Sequence, residues 1–166
     1  MSWREVDEYP GYAVSTCGKV RGRYGKILRG ETNRDGRRCV MMYKKGLPRK
    51  NMLIHRLVAF AFVENPRPDI FDCVDHIDGD CTNNDHTNLR WVNRTLSQLN
   101  RTTAKGWYYN KNKRNPYKVT FRRKHFGVFA TAEEAHAKYK QVQAETFAYL
   151  YNKLVDHTQV DYAHDP

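Results

Sequence analysis

Val74-Asp75-His76-Ile77-Asp78-Gly79-Asp80, then Asn83-Asn84, then Asn88-Leu89-Arg90-Trp91-Val92, is the stretch on which the reading of this chain turns. Cys73 to Ile77 reads as a short strand, Gly79 to Thr87 as a polar loop and Leu89 to Val92 as a second strand. A helix follows from Thr95 to about Asn100, so the order is strand, loop, strand, helix. An acid next to a histidine on one strand sends the two side chains to opposite faces. Both reach one site only where the strand is distorted or edges a concave surface, and a helix packed beside the strands supplies such a surface. The residue types suit phosphodiester hydrolysis, which needs a base for water, a cation to offset charge, and a group to aim the base. His76 can be the base, because neutral imidazole is available near pH 7. Asp75 can ligate a hard cation through oxygen. Asn88 is the candidate for aiming the imidazole.

The charge around this stretch is uneven. The chain of 166 residues carries a net charge of +11. Residues 19–56 hold 13 Lys/Arg against 2 Asp/Glu, residues 64–86 hold 7 acids against the single base Arg67, and residues 101–127 hold 9 bases and no acid. Basic flanks point to a polyanion, since each neutralised phosphate releases counterions. The bases lie in β-like stretches rich in Tyr, Gly and Asn, not on one amphipathic helix, which favours nucleic acid over a membrane surface. The acidic middle has two readings: a divalent cation offsets it, or it is a solvated loop turned away from the nucleic acid. The longest apolar run, Leu57 to Val63, is far short of a membrane span of ~20 residues. No apolar signal-peptide core opens the chain, so an intracellular protein is expected. Cys17, Cys39, Cys73 and Cys81 contain no Cys-x-x-Cys pair and are expected to be reduced thiols.

Further from the centre, residues 1–50 read as a small antiparallel sheet with turns at Thr16–Lys19, Asn33–Gly36 and Lys44–Pro48. Met52 to Val63 fits a buried helix that stops before Asn65-Pro66. Trp107 to Phe129 reads as three short strands, in which Tyr117, Val119 and Phe121 alternate with Lys118, Thr120 and Arg122. Thr131 and Glu134 form a capping box that opens a helix to about Leu154. Ala135, Tyr139 and Val142 lie on the face that covers the sheet. The expected modules are 1–50, 51–102 and 103–154, with a polar tail at 155–166.

Ile54-His55-Arg56-Leu57-Val58-Ala59 and the central motifs together resemble the HNH homing endonucleases of phages and introns, over about residues 51–102. The resemblance implies a ββα-metal fold, one divalent metal (Mg²⁺ or Mn²⁺), Asp75 as metal ligand, and His76 as general base. It also implies that Asn88 orients the base and ties down the loop. The family places a metal-ligating Asn nine residues after the position of Asn88. Here that residue is Ser97, and Asn100 lies one helical turn further on the same face. The metal then binds through Ser97, through Asn100 or through water. Trp3, Val6, Tyr9, Gly11-Tyr12, Val14-Ser15, Gly18 and Val20-Arg21 resemble a short module often attached to these nucleases. Residues 106–139 resemble the plant ethylene-response-factor (APETALA) type of DNA-binding domain, whose sheet enters the major groove.

The reading is an α+β protein: a small N-terminal sheet, a central ββα-metal module and a C-terminal three-stranded sheet backed by a helix. The expected activity is metal-dependent cleavage of double-stranded DNA, leaving a 5′-phosphate and a 3′-hydroxyl. The alternative is a DNA-binding protein on the same scaffold with weakened cleavage. The DNA-contacting candidates are Arg21, Arg23, Arg37 and Arg38 in the first module. In the last they are Trp107, Lys118, Thr120, Arg122, Arg123 and Lys124. No membrane and no protein partner is expected; monomer and homodimer both stand. If the chain is phage-encoded, the bacterial cytoplasm is its expected location.

Overall fold

The computed structural model describes residues 1–100, 105–111 and 113–156. Contacts divide the chain into two compact units, Met1–Arg94 and Thr95–Pro166. No described helix is long and apolar enough to cross a membrane.

The first unit opens with a meander of very short strands, β1 (Trp3–Glu5), β2 (Ala13–Ser15), β3 (Val20–Arg21) and β4 (Ile27–Leu28), paired in chain order. A second meander joins β5 (Glu31–Thr32), β6 (Arg38–Met42) and β7 (Lys50–Leu53). The single N-terminal sheet expected from sequence is therefore two sheets. Strand β7 runs directly into helix α1 (Ile54–Phe62). Met52 and Leu53 belong to the strand and not to the helix, because they pair with Val40 and Cys39 of β6. The expected boundary at 50/51 falls inside this pairing, and residues 1–94 share one unit. Helix α1 stops at Val63, whose extended backbone turns the chain toward Asn65-Pro66. Val14, Val20, Val40, Met42, Leu57, Val58 and Phe71 fill the core.

A two-stranded hairpin, β8 (Cys73–His76) and β9 (Leu89–Val92), completes the unit. Its register sets Val74 opposite Trp91 and His76 opposite Leu89, all four buried. Asp75 faces Arg90 and Cys73 faces Val92 on the other side. Helix α1 packs on the His76 side: the Phe60 and Trp91 rings meet edge-on at 4.9 Å, and Trp91 Nε1 donates to Val63 O at 3.0 Å. A 3-10 turn at His86–Asn88 leads into β9.

Helix α2 (Arg94–Leu99) follows. The second unit then carries an antiparallel sheet of β10 (Trp107–Tyr109), β11 (Tyr117–Phe121) and β12 (Lys124–Phe129), with helix α3 (Ala132–Asp156). The capping box forms as expected: Glu134 N donates to Thr131 Oγ1, and Thr131 N donates to the Glu134 carboxylate. Val119, Ala135 and Tyr139 make a small core, with Trp107, Tyr117, Phe121, Phe126 and Phe129 packed around it. Gln143 donates to the Leu99 carbonyl. The expected boundary at 102/103 falls within residues 101–104, which lie outside the described residues, as do residues 157–166 of the expected tail.

Candidate active site

The loop between β8 and β9 is built by its own polar side chains. Asp78 accepts from Asp80 N and from the Asn83 and Asn88 side chains, each at 2.8–2.9 Å. Burial pushes the Asp78 carboxyl up, but these donors more than offset it and hold it below the usual range. Asp80 accepts from Thr82, and Asp85 accepts from Thr87 to cap the 3-10 turn. Backbone and hydroxyl donors lower both carboxyls. Outside the loop, Asp69 pairs with Arg67 and Asp75 with Arg90. Five of the seven acids in the negative segment thus make turns or ion pairs. The segment's acidity is in large part the cost of folding a short irregular loop.

Asn88 ties this loop shut. Its Oδ1 accepts from Asp78 N at 3.1 Å, and its Nδ2 donates to Asp78 Oδ1 and to Asn83 O, both at 2.9 Å. The side chain on His76 is a different one. Asn84 Oδ1 lies 3.1 Å from His76 Nε2, with the histidine 4% and the asparagine 5% exposed. Asn84 Nδ2 donates to Thr82 O at 3.2 Å, which fixes the amide with its oxygen toward the ring. That orientation assigns the proton to Nε2 of His76 and the basic lone pair to Nδ1. In the sequence Asn84 is one of several loop asparagines, and the resemblance points to Asn88 for the orienting role. Burial in the folded chain separates them: Asn84 is the buried one of the loop's polar residues.

The N-terminal meander props this loop. Gly18 has φ +77, and a Cβ there would stand 2.7 Å from the Asn84 Cβ. His86 N donates to Thr16 O at 2.8 Å. The turn at Thr16–Lys19 is thus a wall of the site.

On the opposite face of the hairpin, Asp75 Oδ2 accepts from Arg90 Nη2 at 3.0 Å and Nε at 3.3 Å. Asp75 and His76 therefore occupy opposite faces of β8, as strand geometry requires. The donor chemistry at Asp75, one hard carboxylate, fits a cation such as Mg²⁺. That ion commonly takes one or two carboxylates and completes its shell with water and substrate phosphate. Among the described residues no group of three or more His, Cys, Asp or Glu side chains could hold a metal. Ser97 and Asn100 are half-buried, one turn apart with Asn100 N bonded to Ser97 O, and both belong to the second unit.

No family model matches the chain. The DNA endonuclease I-HmuI of Bacillus phage SP01 is 37% identical over 102 residues, covering 60% of this chain and 57% of that protein. An uncharacterized HNH endonuclease, L245 of Acanthamoeba polyphaga mimivirus, is 36% identical over 92 residues, covering 55% of this chain and 27% of that one. The solved structure describing DNA binding and cleavage by the HNH homing endonuclease I-HmuI superposes with a TM-score of 0.54 at 36% identity. It covers 60% of this chain and 57% of that one. The chain is similar to HNH homing endonucleases. It spans just over half the length of the I-HmuI relative.

The basic DNA-contacting candidates fall into distinct settings. Arg21 lies over the Trp3 ring at 5.1 Å. Arg23 sits between the Tyr12 and Tyr43 rings and donates to Tyr43 O at 2.8 Å. These guanidiniums are exposed yet held by aromatic faces. Arg38 donates to Arg29 O at 2.6 Å, and Arg37 is half-buried.

In the second unit Lys118 is exposed, with Tyr108 and Val128 beside it in register, and Thr120 pairs with His125. Two expectations change. Trp107 pairs with Val119, meets Tyr117 edge-on at 5.0 Å, and packs against the small core, so it lies on the helix side of the sheet. Arg122 is not on the strand face. It and Arg123 form the two-residue turn between β11 and β12, with φ +49 and +66, and Lys124 follows them into β12. The alternation breaks there because a tight hairpin needs left-handed backbone at both turn positions.

Proposed function

We propose that this chain is a homing-type HNH DNA endonuclease that hydrolyses a phosphodiester and leaves a 5′-phosphate and a 3′-hydroxyl. The observation that carries the reading is the buried His76–Asn84 pair on the β8–β9 hairpin, in a chain 37% identical over 102 residues to a DNA endonuclease. His76 takes the proton from the attacking water at Nδ1, while Asn84 keeps Nε2 protonated and the ring in place. Asn88 holds the loop that carries Asn84. A divalent cation, Mg²⁺ or Mn²⁺, held by Asp75 would supply charge neutralisation at the phosphate and the leaving oxygen. Hairpin β8–β9 and the helix after it follow the chain order of a ββα-metal module. Double-stranded DNA is the substrate. Arg21, Arg23 and Arg38 serve the first unit as phosphate contacts. The APETALA-like sheet presents Lys118, Thr120 and the Arg122-Arg123-Lys124 turn.

A second reading, DNA binding without cleavage, is favoured by the Asp75–Arg90 ion pair and by Ser97 in place of the family's Asn. Nicking of supercoiled plasmid, with EDTA and with Mg²⁺ or Mn²⁺, separates the two. Metal-dependent nicking that falls by roughly 10²–10⁴-fold in His76→Ala, the usual worth of a general base, is the expected result. Tight DNA binding with no nicking in either metal would establish the second reading.

A further inference from the structure

Arg90 and Asp75 stand opposite each other on β9 and β8. Two guanidinium nitrogens, Nη2 at 3.0 Å and Nε at 3.3 Å, donate to one carboxylate oxygen, Asp75 Oδ2. The side chains of Arg90 and Asp75 are 21% and 13% exposed, so the pair is largely but not wholly out of water. Such a pair is a weak strut, because withdrawing two charges from water costs about as much as their attraction returns. What an ion pair of this kind does best is fix a register or act as a switch. The register here has other support. Val74 with Trp91 and His76 with Leu89 are buried pairs on the other face, and Ile77 N donates to Asn88 O at 2.8 Å. The switch is the use left for Arg90.

Two anions compete for this guanidinium. At Asp75 it takes the place of a cation: a positive charge 3.0 Å from Oδ2 offsets the charge that draws a divalent ion to the carboxylate. Arg90's own contribution therefore opposes a metal at Asp75. The other anion is a phosphodiester, which guanidinium grips with the same fork of donors it offers a carboxylate. A DNA phosphate arriving beside Asp75 repels the carboxylate and attracts Arg90. We propose that Arg90 is a substrate-contacting residue shared between these anions. It pairs with Asp75 in the DNA-free chain and turns to a DNA phosphate when DNA binds, which opens the carboxylate to Mg²⁺ or Mn²⁺. DNA and the cation then strengthen each other's binding, by the reciprocity that such coupling obeys. The Asp75–Arg90 pair becomes the resting state of a cutting site. This inference rests on the reading of Asp75 as the cation's ligand in an HNH-type nuclease.

Three measurements on the full chain test it. The first is thermal melting. The second is Mn²⁺ binding without DNA, read as loss of the free ion's electron paramagnetic resonance signal. The third is single-turnover nicking of supercoiled plasmid across a Mn²⁺ titration. Binding at the site is the part that Asp75→Asn removes. Arg90→Gln deletes the charge and keeps a polar side chain. It is expected to bind Mn²⁺ at that site roughly 5- to 150-fold more tightly than the unaltered chain, the usual span of coupling between sites. At saturating Mn²⁺ it is expected to nick roughly tenfold or more slowly, having lost a contact to the phosphate. Equal or weaker Mn²⁺ binding would show that Arg90 only orients Asp75, and would overturn the inference. Nicking at the unaltered rate in saturating Mn²⁺ would overturn it too. If Arg90→Gln does not melt cooperatively, Arg90→Met, uncharged and suited to a half-buried position, makes the same comparison with the same two overturning results. Failure of the underlying reading shows separately: no variant has Asp75-dependent Mn²⁺ binding, and the unaltered chain does not nick in metal.

Discussion

Asn84→Ala tests whether Asn84, and not Asn88, orients His76. The substitution removes the acceptor 3.1 Å from His76 Nε2 and the donor 3.2 Å from Thr82 O. Thr82 is exposed, so water replaces the second bond at little cost. The first is lost between two side chains that are 4% and 5% exposed. A buried N–H left without a partner costs ~1–3 kcal/mol, within the 5–15 kcal/mol of a typical domain, so the variant folds. The ring then loses the hydrogen bond at Nε2, and a displaced reacting group costs up to ~10²-fold in rate. Asn88→Ala breaks three loop bonds, but at a half-exposed position where water takes them over in part. Its rate loss is expected to be the smaller. Urea melts give the stabilities, and single-turnover plasmid nicking gives the rates. If Asn84→Ala nicks like the unaltered chain while Asn88→Ala is slow, Asn88 orients the base and the reasoning fails. Gly18→Ala approaches the same side chain from the turn, where a Cβ would stand 2.7 Å from Asn84 Cβ at φ +77. It should reproduce the Asn84→Ala loss.

Acid should destabilise the first unit through His55. Burial, and then the charges of His76, Arg37 and Arg56, push its folded pKa down to about 3, below the ordinary 6.5, so the unfolded chain binds the proton first. The stability it contributes is complete above pH 6.5 and falls by about 1.4 kcal/mol per pH unit toward pH 3. Melting curves across that window should show a shallower slope in His55→Phe, and an unchanged slope would refute the burial argument. In the second unit, Arg122→Asn with Arg123→Gly gives the β11–β12 turn residues that tolerate left-handed backbone. It should raise stability by about 1 kcal/mol while weakening DNA binding; calorimetry and binding titrations check the two arms. Lys118→Ala should lower the log–log salt slope of DNA binding by about 0.9 if Lys118 neutralises one phosphate. Identical slopes would remove this face from the DNA contacts.

Much of this protein is written in short-range pattern. The β8 and β9 strands, the capping box of Thr131 and Glu134, and the three strands from Trp107 to Phe129 all sit within a residue or two of their expected places. Each is marked in the sequence by local alternation, capping or turn chemistry. The residue types of the site, Asp75, His76 and the asparagines, are equally legible, since the chemistry restricts which side chains can serve. Which asparagine faces the base is not local information. Asn83, Asn84 and Asn88 are alike as a pattern, and their roles separate only when Gly18, 66 positions before Asn84, closes over one of them. Trp107 looks like a DNA-facing aromatic until its register with Val119 turns it toward α3. The alternation that placed Arg122 beside Lys118 ends where the backbone must reverse. Residues 1–50 look separable until β6 pairs with β7 across that boundary. In each case a contact between residues distant along the chain chose among options that local energetics left nearly equal.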